Sequence, residues 1–102
     1  MDAETIRESI VPILKSRRAK KAILFGSYAR STEDPRSDID LMIIDDDELP
    51  YLQRLEKYYN DLTSALGMSV DLFVYRSQEF EDMKEGFFVG KAVAEGVTLY
   101  ER

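Results

Sequence analysis

Residues 21–44 read KAILFGSYARSTEDPRSDIDLMII. Lys21–Phe25 is a short apolar run that ends at Gly26, which predicts a buried strand followed by a tight turn. Ser27–Arg30 has room for one helical turn before a polar loop. The apolar residues return over Asp38–Ile44, which predicts a second strand. The centre of the chain is therefore predicted as a strand, a glycine turn and a second strand that starts with acidic residues.

The rest of the chain predicts helices that alternate with strands. We expect helices over Glu4–Lys15, Leu49–Leu66 and Ser77–Glu95, and further strands over Ser69–Tyr75 and Val97–Tyr100. Pro12 predicts a kink or a late start in the first helix, and Gly86 predicts an interruption in the last. This order predicts an α+β fold (α/β mixed), with a mixed sheet and helices packed on one face.

Composition limits the kind of protein this can be. The chain has 102 residues, which predicts a single domain over 1–102. It contains no Cys and no His, which excludes disulfides, thiol nucleophiles, imidazole bases and zinc sites built from these residues. The longest apolar runs, such as Ala22–Phe25 and Leu41–Ile44, have four residues, so we expect no membrane span and no signal peptide. We expect a cytoplasmic protein.

Charge is distributed unevenly along the chain. The net charge is −6, yet residues 1–30 carry seven basic and three acidic side chains. Residues 31–50 carry one basic and eight acidic side chains. An acidic surface repels a phosphate backbone, which disfavours non-specific nucleic-acid binding. The acidic stretch indicates instead a place where cations bind.

Three aspartates have a spacing that suits a cation site. Because side chains alternate along a strand, Asp38 and Asp40 point the same way, with Cα atoms ~6.5 Å apart. Asp71 lies early in the third predicted strand, and if the two strands are neighbours the three carboxylates converge. Hard oxygen ligands of this kind select Mg²⁺ or Mn²⁺. From spacing alone, Asp38 and Asp40 are equally compatible with solvated residues at the start of a strand.

The turn at Gly26-Ser27 has the composition of an anion-binding turn. A glycine lets backbone N–H groups approach an anion closely, and a helix N-terminus adds a favourable partial charge. The Ser27 hydroxyl could donate to a phosphate, and Arg30 could add positive charge one helical turn later. An ordinary strand-to-helix turn with Ser27 as N-cap explains the same residues, and on its own this is the simpler interpretation.

Taken together, the motifs resemble a known family. Gly26-Ser27-Tyr28-Ala29-Arg30-Ser31 followed by Ser37-Asp38-Ile39-Asp40-Leu41 is similar to the G-S-x-A-R-G…S-D-I-D-L signature. That signature belongs to the minimal nucleotidyltransferases (MNT) of the DNA polymerase β superfamily. Val70-Asp71-Leu72 resembles the third-carboxylate strand of this family, and the last residues from Glu95 resemble its usual tail. Ser31 stands where the family usually has glycine, which concerns the access of the loop to a positive φ and not the metal ligands.

The resemblance implies a polymerase β-like core and a two-metal reaction. An acceptor hydroxyl would attack the α-phosphate of ATP or another nucleoside triphosphate, and pyrophosphate would leave. Asp38, Asp40 and Asp71 would be the catalytic and metal-binding residues for one or two Mg²⁺ ions, with Mn²⁺ as a substitute, and Asp71 would take the proton. The residues implied for nucleotide binding are Gly26, Ser27, Arg30 and Ser37.

The family also implies a partner. MNT proteins are commonly paired with helical HEPN toxins and act as antitoxins that transfer AMP to a tyrosine of the toxin. A chain of this length has no room for an acceptor-binding domain, so we expect the acceptor on another chain, or a homo-oligomer. Two alternatives stay open: an MNT fold that neutralises a partner by binding alone, and an enzyme that modifies a small molecule such as an antibiotic. A nucleic-acid polymerase is disfavoured by the acidic charge.

Two aromatic groups could contact a partner. Tyr51, Tyr58 and Tyr59 could form an exposed patch, but the helical spacing favours Tyr59 in the core and the other two at the surface. Phe87-Phe88-Val89 could be a docking surface, although a buried helix segment is the interpretation we favour from sequence.

Overall fold

The computed structural model describes all 102 residues and contains five helices and four strands. In chain order the elements are α1 (Ala3–Ser16), β1 (Lys21–Phe25), α2 (Gly26–Arg30), β2 (Ile39–Ile44), α3 (Tyr51–Leu66), β3 (Val70–Tyr75), α4 (Ser77–Met83), α5 (Phe87–Glu95) and β4 (Val97–Glu101). Helix α1 begins at Ala3 and runs through Pro12, so the predicted late start is wrong. The long last helix is divided at Gly86 into α4 and α5, as its glycine predicts.

The four strands form one mixed sheet in the order β3-β2-β1-β4. Strand β1 is antiparallel to both β2 and β4, while β2 and β3 run parallel. Helix α3 connects this parallel pair, as a crossover connection requires. The register places Asp40 opposite Phe25 on one side and opposite Asp71 on the other.

The larger core lies on one face of the sheet, beneath α1 and α3. It contains every second residue of β2, namely Ile39, Leu41 and Ile43, each of which is fully buried. Helix α1 contributes Ile6, Ile10 and Leu14 to the same core. The intervening residues of β2 therefore face the other side, which is where Asp40 lies.

The second face is also partly covered, which differs from the prediction of helices on one face. Val89 and Ala92 of α5 pack with Ile23, Phe25 and Met42 in a smaller core. This face needs cover because its strand residues next to the carboxylates are also apolar, and the sequence gives α5 an apolar side that fits them. The fold class itself, a mixed sheet with helices, is confirmed. No helix combines the length and the apolarity that crossing a membrane would need.

A buried carboxyl anchors the loop that follows β2. Asp45 is only 3% exposed and accepts hydrogen bonds from the Tyr58 hydroxyl at 2.5 Å and from the Lys57 ammonium at 2.8 Å. Burial opposes its ionisation, but these donors and the Asp47 N–H together lower the pKa of Asp45. The network explains why Tyr58 is buried and Tyr59 is exposed, the reverse of the prediction.

Candidate active site

The candidate site is built around two aspartates on neighbouring parallel strands. Asp40 of β2 and Asp71 of β3 occupy opposed positions in the sheet. Neighbouring strands lie ~4.8 Å apart, so side chains on the same face are in contact. The two carboxyl groups are close enough to share a hydrogen bond when one of them is protonated. Strands β2 and β3 are therefore neighbours, as the predicted convergence of Asp40 and Asp71 requires.

The electrostatics of Asp40 show negative charge without enough compensation. Burial, the hydrogen bond with Asp71 and the negative charges of Asp71 and Asp38 raise the pKa of Asp40 from 3.8 to about 6. Arg30 opposes this shift through its positive charge. Asp38 is exposed and immediately precedes β2, so it contributes charge at the rim of the pair.

Gly26 joins the turn directly to this pair. Its φ is +73°, and a Cβ placed there would lie 2.0 Å from Oδ2 of Asp40. No side chain other than hydrogen fits at this distance, and an L residue would also be strained by the φ. The chain therefore needs glycine here both for the turn and for the approach of the backbone to Asp40.

The short helix α2 starts with unsatisfied donors. Its N-cap is Phe25, which offers no side-chain hydrogen bond, and the Ser27 hydroxyl makes no hydrogen bond within the protein. The backbone N–H groups of this first turn are thus free to bind an anion. At the other end of α2, Ser31 adopts φ +58°, so the residue that replaces the usual glycine does reach the left-handed region.

Arg30 lies beside the carboxylates and pairs with a residue that sequence reasoning missed. Its guanidinium Nη1 is 3.0 Å from Oε2 of Glu95 at the end of α5. The two residues line a groove of about 240 Å³ between α2 and α5, which we call the α2–α5 groove. Glu95 is 65 positions from Arg30 in the chain, and no local pattern marks it as a site residue.

Ser37 takes a different position from the other predicted residues. Its hydroxyl accepts a hydrogen bond from the Asp34 N–H at 3.0 Å, and its own N–H donates to the Asp34 carbonyl at 3.0 Å. The structure thus brings together Gly26, Asp40 and Asp71, with Asp38 and Arg30 acting on them by charge. It leaves Ser37 bonded within the preceding loop.

The donor set suits a hard divalent cation. No three carboxylates are drawn together into a closed metal cluster in the structure. The adjacent Asp40 and Asp71, however, offer the hard oxygen donors that Mg²⁺ and Mn²⁺ prefer, and the raised pKa of Asp40 shows a negative charge that a cation would relieve. Asp38 adds a third negative charge, which acts on Asp40.

A strand, a turn and a helix with free N–H groups lie next to two aspartates on neighbouring strands, an arrangement able to hold a phosphate chain beside a cation. Residues 8–102 match the family model described as "Polymerase beta, Nucleotidyltransferase". The chain belongs to this family. The resemblance seen in the motifs is confirmed, and the protein is a nucleotidyltransferase.

Individual relatives agree with this assignment. The nucleotidyltransferase is 33% identical to "Putative protein adenylyltransferase MJ0604" of Methanocaldococcus jannaschii, a match that covers 98% of this chain and 100% of the relative. It is 35% identical to MJ0435 of the same organism, named in the same way, over 76% of this chain and 82% of the relative.

Solved structures share its fold. A structure described as a toxin-antitoxin with AMP-PNP superposes with a TM-score of 0.69 at 27% identity, covering 94% of this chain and 73% of that one. A Shewanella oneidensis complex of an MNT antitoxin with a tri-AMPylated HEPN toxin superposes with a TM-score of 0.63 at 24% identity, covering 98% and 73%. At the latter identity the likeness concerns the fold alone.

The aromatic residues of α5 differ from the sequence interpretation. Phe87 is 87% exposed and Phe88 is 45% exposed, whereas Val89 is buried against β1. The predicted buried segment therefore holds only for Val89. The two exposed rings border the α2–α5 groove of the nucleotidyltransferase.

Proposed function

We propose that this nucleotidyltransferase transfers AMP from ATP to a hydroxyl group of a protein, in a reaction that depends on Mg²⁺. The proposal is carried by the contact of Asp40 with both Asp71 and the backbone of Gly26. Asp40 lies opposite Asp71 and against the backbone of Gly26, so a triphosphate on the turn has its α-phosphate beside the carboxylates. The names of the curated relatives support protein as the acceptor and AMP as the transferred group.

The residues have distinct tasks in this reaction. The backbone N–H groups at Gly26 and Ser27, together with Arg30, bind the β- and γ-phosphates. Asp38, Asp40 and Asp71 hold the cation. When bound, Mg²⁺ neutralises phosphate charge and orients the in-line displacement. Without a cation, the carboxylates would repel the triphosphate.

The transfer step forms one bond to phosphorus and breaks another. The acceptor oxygen forms a bond to the α-phosphorus while the bond between that phosphorus and the bridging oxygen breaks. Pyrophosphate leaves with the electron pair, and the proton of the acceptor hydroxyl passes to the carboxylate of Asp71. Asp71 is exposed at the open edge strand β3, where a hydroxyl from another chain can reach it.

The proposed acceptor is a HEPN-type toxin, for which this protein would be the antitoxin. Similarity to a solved structure supports a protein partner. A structure that superposes with a TM-score of 0.69 is described as a toxin-antitoxin with AMP-PNP. The resemblance to MNT proteins supplies the HEPN class.

The test uses two labelled forms of ATP in a lysate of the source cells. With Mg²⁺, α-labelled ATP should label a protein band, γ-labelled ATP should not, and chelation of Mg²⁺ should abolish the label. A preparation with Asp38→Asn and Asp40→Asn serves as the inactive control. Transfer of the γ-label would indicate a kinase, and wild-type protein that binds ATP yet labels no protein would contradict protein nucleotidylation and favour binding alone.

A further inference from the structure

A lysine faces the α2–α5 groove without a carboxylate partner. Lys91 of α5 lines this groove together with Gly26 and Arg30. The neighbouring cations are neutralised, since Arg30 pairs with Glu95 and Lys84 pairs with Glu81. Lys91 forms no ion pair and no hydrogen bond in the protein, although the chain as a whole has more acidic than basic residues. Its positive charge is therefore available for an anion.

An exposed aromatic ring holds Lys91 in place. The Lys91 ammonium lies 5.9 Å from the centroid of the Phe87 ring, within the range of a cation–π contact. Phe87 is 87% exposed, and no core packing explains an apolar ring at this position. This cation–π contact orients the flexible Lys91 side chain on the groove side of α5.

The size and lining of the groove favour a phosphate chain over a nucleoside. Its volume of about 240 Å³ is below the ~300–1,000 Å³ of pockets that enclose a whole small ligand. The Phe88 ring is already packed against Phe25 and Phe73, with centroids 5.8 and 5.0 Å away. The Lys91 ammonium covers one face of the Phe87 ring. Few ring faces are thus free to stack on a base.

We propose that Lys91 is a phosphate-binding residue that, with Arg30, holds the β- and γ-phosphates of the nucleoside triphosphate in the α2–α5 groove. This inference rests on the proposed function and adds a residue that the family motifs do not contain. When the bond between the α-phosphorus and the bridging oxygen breaks, the electron pair goes to the leaving pyrophosphate. The negative charge of the pyrophosphate then rises next to the side chains of Lys91 and Arg30. Lys91 therefore stabilises the leaving group as well as the bound substrate.

Glu95 has the opposite effect on the same anion. Its carboxylate lies in the groove 3.0 Å from Arg30, so a bound phosphate chain shares Arg30 with it and is repelled by it. Removal of the Lys91 charge should weaken phosphate binding, whereas removal of the Glu95 charge should strengthen it. A loss of folding would weaken binding in both variants, so the opposite signs separate charge from structural damage.

The test measures binding of inorganic tripolyphosphate, of adenosine and of ATP to the full chain with Mg²⁺, by calorimetry. We expect Lys91→Met to weaken tripolyphosphate and ATP about 10-fold, as for loss of one charged hydrogen bond, and to leave adenosine unchanged. Glu95→Gln should tighten tripolyphosphate several-fold. Phe87→Leu should weaken it, but less than Lys91→Met. The matched control is Lys15→Met, because Lys15 is an exposed, unpaired lysine on α1.

Three outcomes would overturn the inference. If Lys91→Met binds tripolyphosphate like the wild type while the wild type binds ATP, the inference fails and the proposed function stands. If Lys91→Met weakens adenosine and spares tripolyphosphate, the groove holds the nucleoside instead. If the wild type binds neither ATP nor tripolyphosphate, the proposed function fails as well.

Discussion

A β-carbon on Gly26 would lie 2.0 Å from Oδ2 of Asp40, so the glycine turn and the carboxylate strand are in direct contact. This contact sets the distance between the place that binds phosphates and the place that binds the cation. It also makes Gly26 a residue of the site and not only of the turn.

Gly26→Ala should therefore affect activity more than stability. The added methyl group must displace Asp40, and a shift of ~1 Å in a reacting group lowers rates by about 100-fold. The positive φ should destabilise the fold by about 1–2 kcal/mol. Initial rates of AMP transfer and thermal unfolding measure the two effects.

Gly67→Ala is the matched control for this substitution. Gly67 has φ +67° at the end of α3, but a Cβ there would have no atom within 4 Å. It should lose similar stability and keep its transfer rate. Equal rates for the two alanine variants would show that the contact with Asp40 has no catalytic importance.

The raised pKa of Asp40 predicts how stability varies with pH in the absence of a cation. Since the folded pKa of about 6 exceeds the ordinary aspartate pKa of 3.8, the folded state retains the proton to higher pH than the unfolded state. Ionisation therefore destabilises the fold progressively as pH rises from about 4 to about 6. Asp40→Asn removes this penalty.

In EDTA, Asp40→Asn should melt at a higher temperature than the wild type at neutral pH. The difference should shrink as pH falls from about 6 towards about 4, because Asp40 regains its proton in the folded state over this range. Thermal unfolding followed by circular dichroism across this range gives the comparison. A variant that is less stable than the wild type at neutral pH would argue against crowded negative charge at this site.

The Tyr58 hydroxyl should stabilise the protein without taking part in transfer. Tyr58→Phe leaves the buried Asp45 carboxylate without a donor at 2.5 Å, which should destabilise the fold by about 1–3 kcal/mol. Tyr59→Phe is the control, because Tyr59 is exposed and its hydroxyl has no partner; its effect should stay within about 0.5 kcal/mol. Urea denaturation gives the free energy of unfolding of both variants. A larger loss for Tyr59→Phe than for Tyr58→Phe would refute the hydrogen bond between Tyr58 and Asp45.

Binding of ATP with Mg²⁺ should raise the melting temperature of the wild type. A ligand at 100 times its dissociation constant stabilises the folded state by about 2.7 kcal/mol. Asp38→Asn combined with Asp40→Asn should lose most of this effect. Asp61→Asn, a change in an exposed carboxylate of α3 that pairs with Arg17, should keep it. An equal rise in all three proteins would show that these aspartates do not contribute to binding.

Short-range patterns were sufficient to predict much of the fold and the core of the site. The alternation in β2 predicts correctly that Ile39, Leu41 and Ile43 face the larger core and that Asp40 faces away. The condition that brings Asp71 to Asp40 is the pairing of β2 with β3, and the helix between them favours such a parallel pair.

Buried polar contacts are what the sequence could not predict. The spacing of the apolar residues, at intervals of three and four, places Leu52 and Tyr59 on the inner face of α3. Leu52 is nevertheless 70% exposed. The helix is rotated so that Arg54 and Tyr58 are inside, where Arg54 donates to the Val74 carbonyl and to Glu79. These partners come from distant parts of the chain, and no periodicity of apolar residues can reveal them.

The contribution of α5 to the site also depends on contacts between distant parts of the chain. Glu95 and Lys91 reach the α2–α5 groove only because α5 packs on β1 beside the glycine turn. Their neighbours in sequence are small or apolar, and the resemblance of the residues from Glu95 to the family's tail implies no role at the site. Long-range packing, and not local pattern, places them next to Arg30.

The most direct test of the account is the rate at which AMP from α-labelled ATP reaches protein in the lysate, compared between Asp71→Asn and Asp61→Asn. Each variant loses one exposed carboxylate, but only Asp71 lies opposite Asp40. We predict a wild-type rate for Asp61→Asn and a rate lower by at least about 100-fold for Asp71→Asn, as for loss of a catalytic base. Equal labelling by the two variants would contradict the assignment of Asp40 and Asp71 as the centre of nucleotidyl transfer.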